Sequence, residues 1–360
     1  LSWLFHQIRL SILLLFLFFS QLDIHAQTTA NLSGNNILPD SVILLDVVTV
    51  EGFSLSNKLR TFPGNLSVLA GKSLNLSDGT NMATTLYAIP GVSMQSGTYA
   101  TNRIVIRGMG SRTPYNTNRI RSYLNDIPLT SSDGVSAPEE IDPQSLDRIE
   151  VLKGPASALY GSGLGGSINL YTPDRLQNQG NLSVNYGSFN TLKTNFAGAV
   201  NVKNANLWGS LSHLQSDGYR ENNEYNRTSF LSTGQWKKDK FSVKSTVMLI
   251  DVNSEIPSSL GITQFENDPQ AAASNWAGIE GYKKYRKALA GITLTNLLST
   301  KLTNQFTIHG KWSNSYEKRP FNNLTDQTFS AGMRNKLSYY RNKTDWVLGL
   351  DWIAEQYKWK

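Results

Sequence analysis

From about Gly180 onward, apolar and polar residues alternate with a period of two over long stretches, the signature of strands with two unlike faces. Leu302, Phe306, Ile308 and Trp312 fall on one face of a strand, and Thr303, Gln305, Thr307, His309 and Lys311 on the other. Trp346, Leu348, Leu350 and Trp352 repeat the pattern against Gly349 and Asp351. Phe241, Val243, Val247 and Leu249 form a third such strand, although Met248, Ile250 and Val252 blur its polar face. Short turns are expected at Lys203-Asn204, at Lys237 to Lys240, near Ser299-Thr300 and at Arg341-Asn342-Lys343. Longer connections are expected from Gln215 to Tyr225, from Ser254 to Lys284 and from Glu317 to Phe329. Read this way, residues 180–360 hold about nine strands.

Upstream the pattern is different. From about Phe53 to Pro173, short β-like runs alternate with loops and one helix-like stretch. Asn81 to Ile89 places Met82, Leu86, Tyr87 and Ile89 at helical spacing, and Pro90-Gly91 ends it. Arg103 to Arg107 and Arg148 to Leu152 read as buried strands, so this segment predicts a small α+β domain. At the start of the chain, Arg9 precedes an apolar run from Leu10 to Phe19, too short to span a bilayer and fitting a secretory signal over residues 1–26. Cleavage is expected after Ala26, with Ile24 larger than usual at the third position before the cut. Residues 27–36 are rich in Thr, Asn, Ser and Gly. Asp46, Val47, Val48, Thr49, Val50 and Glu51 then bring four β-branched residues together. They suit either an ordinary edge strand or a strand kept free to extend a partner's sheet, and the residues alone do not choose.

Tight turns alternating with long loops between amphipathic strands are what the wall of an outer-membrane β-barrel shows. A soluble sandwich would have shorter strands. Trp236, Trp312, Tyr339, Tyr340 and Trp359 near strand ends suit interfacial aromatic girdles. The mean hydropathy of −0.31 is compatible with such a wall, since only every second residue meets lipid. The net charge of +7 is spread along a chain with only 17 % charged residues, which argues against a nucleic-acid-binding protein. Cysteine is absent, removing disulfides, thiol catalysis and thiolate metal sites. Of the 4 His, His6 and His25 lie at the N-terminus, leaving His213 and His309. No catalytic set, metal site or resident cofactor is expected. The chain opens on Leu1 and its last strand pattern runs to the end, so the expectation is a piece of a longer barrel.

A series of motifs then narrows the picture: Ile89-Pro90-Gly91-Val92, Ile106-Arg107-Gly108, Leu124-Asn125-Asp126-Ile127-Pro128-Leu129, Asp147 to Pro155 continuing through Ala156 to Gly161, and Gly165-Gly166-Ser167-Ile168-Asn169. In this order they resemble the plug of TonB-dependent outer-membrane receptors. The resemblance implies an α+β plug domain over residues 53–175, followed by the first strands (180–360) of an antiparallel transmembrane β-barrel of about 22 strands. It makes residues 27–52 a flexible segment carrying the TonB box at about 45–52, with Asp46, Val47, Val48, Thr49 and Val50 as the strand offered to TonB. It implies a cell-outer-membrane transporter, not an enzyme, with TonB, outer-membrane lipid and a scarce ligand as partners. Basic residues at the positions of Arg107 and Lys153 lock plug to barrel glutamates in that family, and a buried cation needs such a partner. Lys153 stands where Arg is also common and cannot make the bidentate fork of Arg.

The outward loops 95–101, 111–118 and 129–134 carry Tyr99, Arg112, Tyr115, Asn116 and Asp133. Cations and aromatics at a plug apex suit an anionic, partly aromatic metal chelate. Ile256-Pro257 and Phe265 to Ala271 are similar to an outer loop of siderophore and ferric-citrate receptors. The expected ligand is therefore a ferric siderophore or ferric citrate, with cobalamin or another non-iron nutrient as the alternative. The plug segment contains no His, which argues against a haem receptor with axial His. Only about 20 residues separate the expected cleavage from the TonB box, too few for an extra signalling domain. Gly161 to Gly166 precede a strand and not a helix, so they are turn formers and not a nucleotide fingerprint.

Overall fold

The structure, a computed structural model, describes residues 49–50, 57–58, 64–71, 74, 79–112, 117–131, 134–154, 163–174, 178–341 and 344–360. The expected signal peptide, Asp46, Val47, Val48, Tyr115, Asn116 and Asp133 lie outside the described residues. Strands β1 (Thr49–Val50) and β2 (Asn57–Lys58) pair antiparallel, Thr49 opposite Lys58.

The small domain follows as β3 (Leu66–Ala70), helix α1 (Met82–Tyr87), β4 (Val92–Thr98), β5 (Thr101–Ile106), β6 (Ile120–Leu124), β7 (Ile127–Pro128), β8 (Arg148–Lys153) and β9 (Gly166–Tyr171). Two single-turn 3-10 helices, Pro138–Glu140 and Pro143–Ser145, sit between β7 and β8. Asn81 caps α1 by accepting the Ala83 N–H at 2.8 Å. The helix stops before Pro90, and Gly91 takes the left-handed φ of +77° that turns the chain into β4. Five strands form a mixed sheet in the order β3-β8-β9-β6-β7, with only β6 and β9 parallel, while β4 and β5 make a separate hairpin. Leu86 and Met82 of the helix, Ile106 of the hairpin and Ile149 and Ile168 of the sheet are fully buried in one cluster. Each such side chain contributes about 1.5–3 kcal/mol by leaving water.

Beyond it, β10 (Gln179–Gly187), β11 (Thr191–Val202), β12 (Ala205–Ser216), β13 (Tyr225–Lys238), β14 (Phe241–Glu255), β15 (Tyr282–Ser299), β16 (Leu302–Lys318), β17 (Asn323–Arg341) and β18 (Thr344–Trp359) each pair antiparallel with the next. These are the nine strands the alternation predicts, in an open sheet and not a closed barrel. Short helices α2 (Ile262–Asn267) and α3 (Ser274–Ala277) lie in the connection between β14 and β15. Among the described residues no helix is long and apolar enough to cross a membrane, which says nothing about crossing by strands.

The connection expected to run from Glu317 to Phe329 is much shorter, because β17 starts at Asn323 and pairs there with Lys318. The turn is closed by the Arg319 N–H donating to the Asn322 carbonyl at 3.1 Å, while the Arg319 guanidinium donates to the two Glu317 carboxylate oxygens at 2.7 and 3.0 Å. Residues 322–328 are mostly polar on both faces, so the period of two is invisible there although the backbone is paired.

The two faces of the large sheet are opposite in character to those of a soluble protein. Thr307 and His309 are buried on one face, as are Ser210, Thr246 and Ser330 on other strands, and Ser210 and Thr246 bond there to Ser145 and Asn125 of the small domain. The other face exposes Ile308, Phe329, Leu348 (72 % exposed) and Trp352. Met248, Ile250 and Val252 lie on the covered face and join the core cluster of the small domain. That is why they interrupt the polar face of β14.

Candidate functional site

Along the seam between small domain and sheet, the sheet supplies cations and the domain supplies acceptors. The Lys193 ammonium of β11 donates to Asp142 Oδ1 at 2.7 Å, to Gln144 Oε1 at 2.9 Å and to the Gly79 carbonyl at 2.5 Å. All three of its donors are thereby used. Both side chains of the Lys193–Asp142 pair are shut off from solvent. Asp142 Oδ1 also accepts from the Gln144 N–H at 3.0 Å, capping the second 3-10 helix, and Oδ2 accepts from Asn195 Nδ2 at 3.2 Å. Two strands on, an Arg227 guanidinium nitrogen donates to the Glu139 carbonyl at 3.0 Å. On β15, Lys287 Nζ meets Glu140 Oε1 at 2.6 Å. Successive odd-numbered strands β11, β13 and β15 thus grip the segment from Glu139 to Asp142.

The grip continues around the sheet. Lys311 donates to the Thr130 carbonyl, and Arg334 donates to the Asp126 carbonyl at 2.6 Å while lying over the Tyr123 ring, 4.9 Å from its centroid. Asn125 Nδ2 donates to the Thr172 and Thr246 hydroxyls at 2.9 and 3.1 Å, and Lys244 Nζ reaches Asn125 Oδ1 at 3.2 Å. A hydroxyl pair, Ser145–Ser210 at 2.9 Å, adds one more link.

Charge balance decides the state of the acidic segment. Burial alone would raise the Asp142 pKa, but the nearby Lys193 and Arg227 charges outweigh it and hold the carboxyl below its ordinary value. Glu139 goes the other way. Burial, reinforced by the adjacent Glu140 carboxylate, pushes it up to about 7. Its Oε2 is buried with no hydrogen-bond partner among the described residues.

Tyr99, expected at the apex, stacks on Tyr225 at the start of β13, with ring centroids 4.8 Å apart at 28°. Arg112 is exposed in the turn after Gly110. No bond joins Tyr99 and Arg112 among the described residues. Thr49 and Val50 are paired with Lys58 and Asn57 and so already have one sheet neighbour. Arg107 departs from the burial that its strand pattern predicts. Arg107 is exposed in the turn between β5 and Met109, with φ +49°, its N–H held by the Gly91 carbonyl at 2.9 Å. A tight turn carries its side chain outward, where the burial expected from the strand pattern is not achieved. Lys153 is buried, but its ammonium donates to the Pro90 carbonyl at 2.8 Å and not to a carboxylate. Burial, and then the Arg107 charge, lower its pKa.

Sequence reading missed the anchors that are present: Lys193, Arg227, Lys287, Lys311 and Arg334 on the sheet, Asp142, Glu140 and Asn125 on the small domain. The available signal was a long cation at positions whose strand parity otherwise selects Ser and Thr. Among the described residues no group of three or more His, Cys, Asp and Glu could hold a metal ion.

Comparison with known proteins agrees with this architecture. Residues 58–168 match the family described as TonB-dependent Receptor Plug Domain. An iron-regulated outer membrane virulence protein of Vibrio cholerae serotype O1 is 32% identical over 142 residues, covering 38% of this chain and 21% of that protein. A vitamin B12 transporter of Vibrio vulnificus is 26% identical over 156 residues, covering 42% of this chain and 25% of that protein. The unliganded ferric citrate transporter FecA superposes with a TM-score of 0.71 at 16% identity, covering 88% of this chain and 52% of that one. The chain spans only a fifth to a quarter of the length of these curated relatives.

Proposed function

From a chain whose residues 58–168 are a TonB-dependent receptor plug domain, we propose an outer-membrane receptor that imports a ferric siderophore or ferric citrate. The observation that carries this reading is the plug domain seated on the polar face of a nine-stranded antiparallel sheet whose opposite face is apolar and exposed. An exposed apolar face of that extent is stable in lipid and costly in water. The iron-regulated outer-membrane relative and the fold shared with a ferric citrate transporter support iron as the cargo.

In this reading residues 1–26 export the chain, residues 27–52 present the TonB box, the plug extends over 53–175 and the barrel wall begins at 180. Asp46, Val47, Val48, Thr49 and Val50 offer a strand edge to TonB in the periplasm, which pulls on the plug using energy from the inner membrane. Tyr99, Arg112, Tyr115, Asn116 and Asp133 meet the chelate from the plug's outer side. The exposed Arg107 guanidinium is available to a carboxylate elsewhere in the receptor, with Lys153 holding the turn beneath it. No bond of the cargo is broken. A second reading, cobalamin import, is favoured by the similarity to a vitamin B12 transporter.

The test is binding to purified full-length receptor of ferric citrate, a panel of ferric siderophores and cobalamin, followed by uptake in cells with and without TonB. One ferric chelate should bind and enter only when TonB is present. Binding of cobalamin alone would transfer the assignment to the second reading, and TonB-independent entry would end both.

A further inference from the structure

The long connection between β14 and β15, residues 256–281, is the largest loop at the end of the sheet where the connections are long. Its tip is exposed: every residue from Gly261 to Asp268, including Ile262 and Phe265 of α2, faces solvent. Its base is not. Pro257 and Ala272 are buried.

The base is held by side chains of the preceding loop, residues 217–224. The Arg220 guanidinium donates to the Ala271 carbonyl from two nitrogens, at 3.1 and 2.8 Å, to the Ser258 carbonyl at 2.6 Å and to the Pro257 carbonyl at 3.5 Å. One planar group thereby ties the outgoing limb of the loop to its returning limb. Asn222 does the same lower down, its Nδ2 donating to the Ile256 carbonyl at 2.9 Å and the Gly281 carbonyl at 3.0 Å. Backbone bonds reinforce the clasp: Glu221 N–H to the Gln270 carbonyl at 2.8 Å, Ala273 N–H to Pro257 at 2.8 Å and Ile256 N–H to Gly281 at 2.9 Å. The clasping loop is itself shaped for the task. Gly218 takes φ +77° with Asn223 so close that a β-carbon would collide with it, and Asn222 is also left-handed at φ +51°.

A loop free to fold over a ligand would leave these carbonyls to water. Here five of them are bound across the two limbs by two side chains, which lowers the number of conformations the base can adopt before any ligand arrives. We propose that Arg220 and Asn222 are positioning residues that hold the base of loop 256–281 in advance, presenting its exposed tip as a preset wall of the ligand entrance. The inference rests on the reading that this end of the receptor receives the chelate.

The test uses the full-length receptor, with ferric citrate, a ferric hydroxamate and cobalamin as probes. Hydrogen exchange should find the base peptides 256–258 and 270–273 protected before any probe is added. In Arg220→Ala their exchange should rise about tenfold or more, while strands β13 to β15 stay unchanged. Uptake of whichever probe is imported should show a several-fold higher half-saturation with the maximum rate per surface receptor preserved. Arg220→Lys should recover part of both effects, since one ammonium reaches some but not all of these carbonyls. A wild-type base that exchanges as fast as the tip overturns the inference. So does an Arg220→Ala receptor whose loop opens with no change in half-saturation, because that is a folding role only. If wild type imports none of the three probes, the import reading fails, and the exchange measurement still decides whether the loop is held in advance.

Discussion

Lys193 of the sheet and Asp142 of the plug form an ion pair at 2.7 Å with neither side chain in contact with solvent. Such a pair is expensive to break from one side, because the remaining charge stays buried without compensation, at about 3–5 kcal/mol. Lys193→Met should therefore lower the denaturant midpoint for plug release in the detergent-solubilised full-length receptor. Adding Asp142→Leu to it should recover most of the loss. Equal stability of the single and double variants would show that the pair is not the anchor it is taken for.

Glu139 gives the seam a pH dependence of defined sign. Its pKa rises from 4.5 to about 7, so the seated plug holds this proton more tightly than the unfolded chain does. The stabilisation is complete below the unfolded value and is lost as pH rises through about 7. Allowing for solvent screening, its size is on the order of 2 kcal/mol. Plug release measured between pH 5 and 8.5 should become easier toward the alkaline end, and Glu139→Gln should flatten that trend. An unchanged trend in the variant would assign the pH dependence to another group.

The proposed coupling strand is tested by Val50→Pro. Proline removes the backbone N–H and cannot sit in a paired strand interior. Cells should still bind the ferric chelate but accumulate none, and normal accumulation would remove the TonB-box role from residues 46–50.

At the outer side of the plug, Arg112→Ala should weaken chelate binding by roughly ten- to hundredfold, the loss of one charge-assisted hydrogen bond of about 1.5–3 kcal/mol. Export, plug folding and TonB contact should be unaffected, since the side chain is exposed in a turn. Titration of the purified receptor with each ferric chelate checks this, and wild-type affinity throughout would exclude Arg112 from the ligand surface.

Much of the architecture is written in local pattern. The alternation in β16 and β18 determines the strands, because only a period of two keeps Ile308 and Leu348 on one face and His309 and Asp351 on the other. Pro90-Gly91 ends α1, and the ordered motifs from Ile89 to Asn169 identify the plug. What the covered face of the wall would touch was not legible. Met248, Ile250 and Val252 break the amphipathic pattern of their strand because they pack with the plug's apolar core, a partner no local pattern names.

The sequence by itself determined the strand faces and the small α+β domain, since each depends on neighbours a few residues apart. Only the tertiary structure decided which charges meet. Lys193 and Asp142 are separated by 51 residues, and Lys287 and Glu140 by 147. No period or spacing relates residues so distant; their partnership exists only because the seated plug brings a 3-10 turn against alternate strands. The same holds for Arg107, which the strand pattern buries and the turn at φ +49° exposes. A buried charge takes whatever partner the fold brings within hydrogen-bond reach, and that geometry is a property of the packed chain.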